Sequence, residues 1–431
     1  MRTPVLLTVL LSAAQWLHAE RFEFSGTHGG EGVAELSLSS PGSDWSEAGR
    51  EAAVATVVLD GKHEQHVMLF AGERPFTYRV FLGPVLPGDH ELTIERNERY
   101  SAPRSGLTVH NARFQIWPAA DPYAQVLAHA PVLFARQNTI GQFSDVPLLA
   151  WCQKLDGDVL QYTVIFSNED GGTSTRALMA RWGRTTDIEY VYRVQLSPDG
   201  RVVNATIQGR DHKDLPFEGQ RFSSHPLLIP VTDNNMVSGE ATSAIRYQLA
   251  PALVKLEGHS REQMMDDHPI TYEVAAKELL REHKIRPFGV AAGESISDPR
   301  NYLYIEYAVA TSDAAVSVTV RRKTDRTARN SSLGRIDYAI DREDWVRTAV
   351  ELPPETSADD LWDVSFDCIV GAPRRGEPLA HSGTCDILNV SKMFFLTRDY
   401  RPGPNLWKAP ARARVRTGES AVFLGWQTSG R

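Results

Sequence analysis

Short runs of alternating apolar and polar residues fill most of the chain, and they restrict the folds that it can adopt. Strand-like runs include Val54–Leu59, Tyr78–Leu82, Leu92–Glu95 and Arg113–Trp117, in which successive side chains would point to opposite faces of a sheet. Turn signals such as Asp60-Gly61 separate the runs, with no helical periodicity between them. Short strands punctuated by Gly and Pro are typical of β-sandwiches. The pattern therefore predicts a mostly β protein.

The 431 residues are enough for about three domains, and the strand-like runs fall into three groups. We expect three consecutive β-sandwich-type modules. The first, over residues 20–118, would be immunoglobulin-like, and the central one would span 122–255. The third, over 287–431, would be of the jelly-roll or carbohydrate-binding type.

One segment breaks the strand pattern, between the second and third modules. Tyr272, Ala275 and Leu279 recur at helical spacing, and charged residues fill the positions between them. This arrangement predicts one amphipathic helix at about 271–284. We assign residues 256–286 to a helical connector around it.

The beginning of the chain has the layout of a secretory signal peptide. Arg2 precedes an apolar run, Pro4–Ala14, and small residues follow it. The run is too short to span a bilayer, so residues 1–19 are predicted to be removed on export. No other run reaches the length of about 18 apolar residues that a membrane helix needs. We therefore expect a secreted or periplasmic protein whose mature chain has no transmembrane segment.

The three cysteines fit an oxidising compartment. Cys368 and Cys385 are close enough in sequence to pair across a short loop. Cys152 lies in an apolar stretch, where a buried free thiol is the simplest expectation. The formal net charge of −8 disfavours nucleic acid as a partner. The chain also lacks H-E-x-x-H, G-x-S-x-G and Walker motifs.

The densest set of polar side chains lies between residues 166 and 225. Asp187 and Glu189 are two residues apart on a predicted strand, which places them on the same face about 7 Å apart. Glu169 and Asp170 follow the preceding strand, and His212 follows the next one. If these strands are neighbours, the side chains converge at one end of the central module.

Crowded carboxylates repel one another unless a positive charge neutralises them. Oxygen ligands with one imidazole suit a divalent cation such as Ca²⁺, Mg²⁺ or Mn²⁺. The alternative is structural, with the acids paired to nearby arginines, of which Arg176, Arg181 and Arg184 are the candidates. The sequence leaves both interpretations open.

Some of these residues carry a resemblance to known families. The strand Tyr162–Phe166, the following Glu169-Asp170, and Gly183, Asp187 and Glu189 resemble the core of the necrosis-inducing protein-like cytolysins. In that family the heptapeptide reads Gly-His-Arg-His-Asp-Trp-Glu, and this chain lacks both histidines and the tryptophan. A looser similarity, over about residues 120–245, is to the vacuolar protein sorting-associated protein 62 family.

The resemblance implies a β-sandwich that holds a divalent cation at one end. Asp187 and Glu189 would be ligands directly or through water, and Glu169 or Asp170 would be the upstream acid. The match does not fix the histidine, and we choose His212 over His225. In the cytolysins the cation takes part in binding sphingolipid headgroups. Because both heptapeptide histidines are missing, cytolytic activity is not carried over.

These observations predict a multi-domain binding protein with a carboxylate-rich cation site. Its ligand would be a polar surface group such as a glycan or a lipid headgroup. One alternative is a hydrolase in which the cation polarises a phosphate or glycosidic bond and Asp187 or Glu189 acts as general base. The other is a structural envelope or adhesion protein without a site.

Overall fold

The computed structural model describes residues 19–169, 171–372, 382–407 and 411–423. Nearly all of the predicted signal peptide, and the predicted ligand Asp170, lie outside the described residues. Strands make up 46% and helices 12% of the structure, so the mostly β class is confirmed. The strands form several antiparallel sheets that pack in consecutive modules.

The first module contains seven strands in two sheets. One sheet has the order β1-β6-β3-β4 and the other has the order β5-β2-β7. The inward side chains alternate along the strands, as in Leu36 and Leu38 of β2. The strands are β1 (Glu20–Gly26), β2 (Gly30–Ser39), β3 (Val54–Leu59), β4 (His63–Met68), β5 (Phe76–Val85), β6 (Gly88–Arg96) and β7 (Thr108–Trp117).

The central module pairs a six-stranded sheet, β13-β12-β11-β10-β9-β18, with a smaller sheet, β14-β15-β8-β17, in which β16 also pairs with β15. Its helices are α1 (Pro122–Ala128) and α2 (Thr175–Trp182). Its strands are β8 (Val132–Phe134), β9 (Pro147–Leu155), β10 (Val159–Phe166), β11 (Asp187–Leu196), β12 (Val202–Gly209), β13 (Lys213–Pro216), β14 (Arg221–Phe222), β15 (His225–Pro230), β16 (Val237–Ser238), β17 (Arg246–Tyr247) and β18 (Ala252–Leu253).

The connector holds two helices, α3 (Gln263–Asp267) and α4 (Ile270–Arg281), and the last module follows with two four-stranded sheets. The sheet orders are β22-β19-β24-β25 and β21-β20-β23-β26. The strands are β19 (Tyr302–Ser312), β20 (Ala314–Arg322), β21 (Arg329–Asn330), β22 (Asp344–Glu351), β23 (Leu361–Val370), β24 (Thr384–Phe395), β25 (Ala413–Arg416) and β26 (Ser420–Phe423).

The modules pack against one another through shared hydrophobic clusters. One cluster of buried apolar side chains runs through the first and the central modules, and Val80 of β5 forms a β-bridge with Leu249 beyond β17. A further cluster joins Ile188 of the central sheet, Met265 of α3 and Tyr304 of β19. The central module is thus held from both sides.

The helix content differs from the expectation. The predicted amphipathic helix is present as α4, which ends at Arg281, a few residues before the predicted end. Three further helices occur in the described residues. They are five to eight residues long, too short for a hydrophobic periodicity to stand out from the sequence. One of them, α2, turns out to shape the candidate site.

Cys368 of β23 and Cys385 of β24 form a disulfide that links the two sheets of the last module. Cys152 is a buried free thiol. No helix in the described part of the chain is long and apolar enough to cross a membrane.

Candidate functional site

The acids lie at one end of the six-stranded sheet, where β10 and β11 meet. Phe166, the last residue of β10, pairs with Asp187, the first residue of β11, and Val164 pairs with Glu189. Glu169 follows β10 by three residues, at the same end. Asp187 and Glu189 project to one face because strand side chains alternate. Register and chain order together bring these three carboxylates into one group, which we call the acid cluster.

Helix α2 and its C-terminal glycine direct the chain into β11. Ser174 caps the helix by accepting a hydrogen bond from the Ala177 amide. Gly183 ends it in the left-handed conformation, with φ of 58°, and a β-carbon there would lie 2.8 Å from Cγ of Arg347. A side chain at position 183 would therefore strain the backbone and push against the last module. This is the glycine that the family resemblance singled out.

Asp187 is almost completely buried and has one neutral and one charged partner. Asn235 donates to its Oδ2 over 3.1 Å. Arg184 is the charged partner, but its Nη1 lies 3.8 Å from Oδ1, which is too far for a hydrogen bond. Arg184 instead donates through Nε to Glu262 over 3.1 Å and through Nη1 to the Thr186 carbonyl. The nearest cation is thus committed elsewhere.

Glu189 and Glu169 complete the acid cluster. Glu189 is also buried, and Nη1 of Arg261 lies 3.9 Å from its Oε2. Oε1 of Glu169 accepts a hydrogen bond from the amide of Thr173 over 2.9 Å. Arg184 and Arg261 therefore act on the acid cluster through their charge, without a hydrogen bond to the oxygens of Asp187 or Glu189.

Burial and mutual repulsion raise the pKa of all three acids. Desolvation is the largest cause, and the charge of the neighbouring carboxylate adds to it. The pKa of Asp187 and that of Glu169 both rise to about 7. Arg184, the Asn235 amide and the Thr173 hydrogen bonds act in the opposite direction without cancelling the effect. The ionised acid cluster is under-neutralised in the folded protein.

His212 lies beside the acid cluster, in the turn after β12. Its Nδ1 is 2.8 Å from Nε2 of Gln208, and Gln208 also hydrogen-bonds to Glu189. Its Nε2 is 3.2 Å from Nδ2 of Asn234. The imidazole is exposed and is connected to Glu189 through the Gln208 amide.

His225, the other histidine considered, is elsewhere. It lies on β15 in the smaller sheet, completely buried, with Nδ1 2.9 Å from the Ala130 carbonyl and Nε2 3.5 Å from Oε2 of Glu31 in the first module. Of the arginines proposed as structural partners, Arg184 is near the acids, whereas Arg181 binds Asp341 in the last module.

Several contacting residues escaped the sequence analysis. Asn235, Gln208, Arg261 and Glu262 touch the acid cluster or its arginines. Glu262 is 78 residues from Arg184 in sequence. No local motif marks such partners, because Arg261 and Glu262 are brought there by the packing of the connector against the central sheet, and Asn235 by the loop between β15 and β16.

The donor types suit a hard divalent cation, whose preferred ligands are carboxylate and amide oxygens. However, no group of three or more His, Cys, Asp or Glu side chains among the described residues is close enough to hold a metal ion directly. The buried Oδ1 of Asn235 and Oε1 of Gln208 also have no hydrogen-bond partner. An ion held here would therefore keep part of its water shell, as Mg²⁺ commonly does.

A cavity of about 680 Å³ lies next to the end of β12. Gly209, Arg210 and Val231 line it, and they belong to the same two chain segments as the amides that contact the acids. Its lining includes apolar residues such as Phe217 and the acidic residues Glu218 and Glu240. Its volume falls in the range of small-molecule sites.

Comparison with known proteins does not identify a family. No family model matches the chain, and no curated protein is similar to it at a significant level. Among solved structures, one similar chain is a carbohydrate esterase family 2 enzyme plus carbohydrate-binding domain from Myceliophthora fergusii, with 18% identity, a TM-score of 0.15, and coverage of 30% of this chain and 33% of that one. Another is a ruminal GH26 endo-beta-1,4-mannanase, with 10% identity, a TM-score of 0.17, and coverage of 32% and 27%.

This chain therefore spans about a third of the length of the esterase and about a quarter of that of the mannanase. Similarity at this level assigns neither a fold family nor a function.

Proposed function

We propose that this protein is a binding protein whose central module holds a divalent cation at the acid cluster. The observation that carries the proposal is the convergence of Glu169, Asp187 and Glu189 at one end of the sheet, while the two nearest guanidinium groups stay 3.8 and 3.9 Å away. Crowding of buried carboxylates costs free energy unless more positive charge is supplied. A partly hydrated Ca²⁺, Mg²⁺ or Mn²⁺ supplies it.

The ligand that the cation serves is a polar surface group, a glycan or a lipid headgroup. The neighbouring cavity supports this part of the proposal. Its apolar wall can take the C–H face of a sugar, and Arg210, Glu218 and Glu240 offer a donor and acceptors for hydroxyl groups. Gly209 and Arg210 of the cavity lining directly follow Gln208 in the chain, the residue that hydrogen-bonds to Glu189.

Export to the periplasm or the medium completes the proposal. It rests on the sequence of residues 1–19 and on the compatibility of a disulfide with an oxidising compartment.

Calorimetric titration of the full chain with Ca²⁺, Mg²⁺ and Mn²⁺ tests the cation site. We expect saturable binding of at least one ion, lost in Asp187→Ala. Asp199→Ala is the matched control, since Asp199 is an exposed acid in a turn of the same module, paired only with nearby groups. Binding that is absent in the unsubstituted protein, or equal in both variants, contradicts the proposal.

Glycan binding, measured on an array of immobilised neutral oligosaccharides with and without EDTA, tests the ligand. The proposal requires a signal that EDTA removes and that Asp187→Ala lacks. Binding that persists in EDTA would show that the cation is not needed for glycan binding, and would contradict this part of the proposal.

A further inference from the structure

The first module carries a second cavity, far in sequence from the acid cluster and different in charge. It has a volume of about 630 Å³ and is formed by the loop after β6. Three arginines, Arg96, Arg99 and Arg104, line it together with one acid, Glu98. The lining thus carries a formal excess of two positive charges, three minus one, in a chain whose net charge is −8.

The arginines differ in role. Arg96 is largely buried and donates through Nε to the Ser105 carbonyl over 2.8 Å and through Nη2 to the Ala102 carbonyl over 3.1 Å, while Nη1 pairs with Glu98. It therefore holds the two ends of the loop together. Arg99 and Arg104 are exposed, and neither has a carboxylate partner among the described residues. Their donors are free for a ligand.

The loop is fixed by hydrogen bonds and does not need ordering on binding. Oδ1 of Asn97 accepts from the amides of Arg99 and Tyr100, and Nδ2 donates to Thr56 on β3. The amide of Ala102 bonds to the module core at the Ala52 carbonyl over 2.9 Å. A preformed site loses less conformational entropy when a ligand binds.

The Arg99 guanidinium lies over the Tyr100 ring, 5.2 Å from its centre, which leaves its N–H groups available. Two guanidinium groups without a carboxylate partner at a rigid cavity are complementary to an oxyanion, because the planar fork of arginine matches carboxylate and sulfate oxygens. We propose that this cavity binds the acidic substituent, carboxylate or sulfate, of an anionic polysaccharide. This site is independent of the proposed cation site and would work in EDTA.

The charge distribution favours a glycan over a nucleic acid. Duplex DNA carries a negative charge about every 1.7 Å along its axis, and the net charge of −8 repels such a dense polyanion. A polysaccharide with at most about one acidic group per sugar places single charges at the cavity while its neutral parts contact the rest of the surface.

The test is calorimetric titration of the full chain in EDTA with oligogalacturonate, a sulfated oligosaccharide, a neutral oligosaccharide and a DNA duplex. We expect one of the two acidic glycans to bind and the other two probes not to. Binding of oligogalacturonate would identify the acidic group as a carboxylate, and binding of the sulfated oligosaccharide would identify it as a sulfate. Binding should weaken as NaCl is raised, because exposed charges are screened.

The variant Arg99→Ala/Arg104→Ala should weaken binding at least tenfold. Arg113→Ala is the matched control, since Arg113 is exposed on β7 of the same module and lies outside the cavity lining. It should change the affinity less than twofold. Both variants remove exposed side chains, so their circular dichroism should equal that of the parent.

The inference is overturned if neither acidic glycan binds, if the control weakens binding as much as the double variant, or if DNA binds as tightly as the glycan. Since none of these results depends on Asp187, failure here leaves the proposed cation site untouched.

Discussion

Asn235 donates a 3.1 Å hydrogen bond to Asp187 across 48 residues of sequence. It joins the loop after β15 to the start of β11 and gives the buried carboxylate a neutral partner. The arginines stay farther away. An amide partner does not neutralise the charge of a carboxylate, so Asp187 still repels the neighbouring acids. An added cation would relieve that repulsion.

Replacing Asp187 by Asn should stabilise the cation-free protein. The variant keeps an oxygen that can accept from Asn235 and removes one of three crowded charges. Because burial and repulsion raise the pKa of Asp187, the ionised form destabilises the fold, by about 1.4 kcal/mol per pKa unit. We expect the free energy of unfolding in urea with EDTA at pH 8 to rise by 1 kcal/mol or more, roughly. A loss of stability would show that Asp187 is held by favourable ion pairs.

Glu278 provides a test of pH dependence away from the acid cluster. It lies on α4, completely buried, and accepts from Nε1 of Trp45 over 3.0 Å. Desolvation raises its pKa to about 8, although Arg281 opposes the shift. In the folded state the charged form of Glu278 is thus disfavoured. The contribution of Glu278 to the free energy of unfolding therefore falls as pH rises from about 4.5, its ordinary pKa, to about 8, its pKa in the folded protein.

The variant Glu278→Gln, which can still accept from Trp45, should match the parent near pH 4.5 and exceed it in stability at pH 8 by up to a few kcal/mol, roughly. Urea unfolding at the two pH values measures the difference. The exposed Glu257→Gln should change stability by less than about 0.5 kcal/mol at either pH. An equal difference at both pH values for Glu278→Gln would contradict the account.

Arg347 holds the connector to the last module. Its completely buried guanidinium binds Asp266 of α3 over 2.8 Å and Glu306 of β19 over 2.7 Å. Replacing it by Met leaves two buried carboxylates without this partner, and should cost about 3–5 kcal/mol of stability. Arg335→Met breaks a more exposed pair with Asp337 and should cost at most about 1 kcal/mol. Chemical denaturation measures both losses, and a similar loss of stability in Arg347→Met and Arg335→Met would contradict the account.

Thiol titration checks the cysteine assignment. The chain has three cysteines, and the structure joins Cys368 to Cys385 and leaves Cys152 free. Protein unfolded without reductant should show one reactive thiol, and three after reduction. The double variant Cys368→Ala/Cys385→Ala should lose about 3 kcal/mol of stability, the value expected for a closed loop of this size. Three thiols before reduction would show that the bond does not form.

The sequence was sufficient for the parts of the site that depend on local periodicity. The alternation in β11 places Asp187 and Glu189 on one face, and the position of Glu169 just after β10 follows from the antiparallel pairing of β10 with β11. His212 could be placed near them for the same reason, since it follows β12. These inferences need only neighbouring antiparallel strands.

Other parts could not be read from the sequence. Helix α2 is eight residues long, so its apolar positions do not reveal a period, although it sets the approach to β11. Asn235, Arg261 and Glu262 come from segments whose position depends on how the smaller sheet and the connector pack. Tertiary packing, and not local preference, decides how far each arginine stays from each acid.

The most direct test of the central claim is to locate the ion. Crystals of the full chain grown with Mn²⁺ would show it by anomalous scattering. The account predicts a peak at the acid cluster, with oxygens of Asp187 or Glu189 bound to it directly or through one water, and no such peak in crystals of Asp187→Ala. Well-ordered crystals that bind Mn²⁺ elsewhere, or not at all, with Arg184 and Arg261 closed onto the acids, would contradict it.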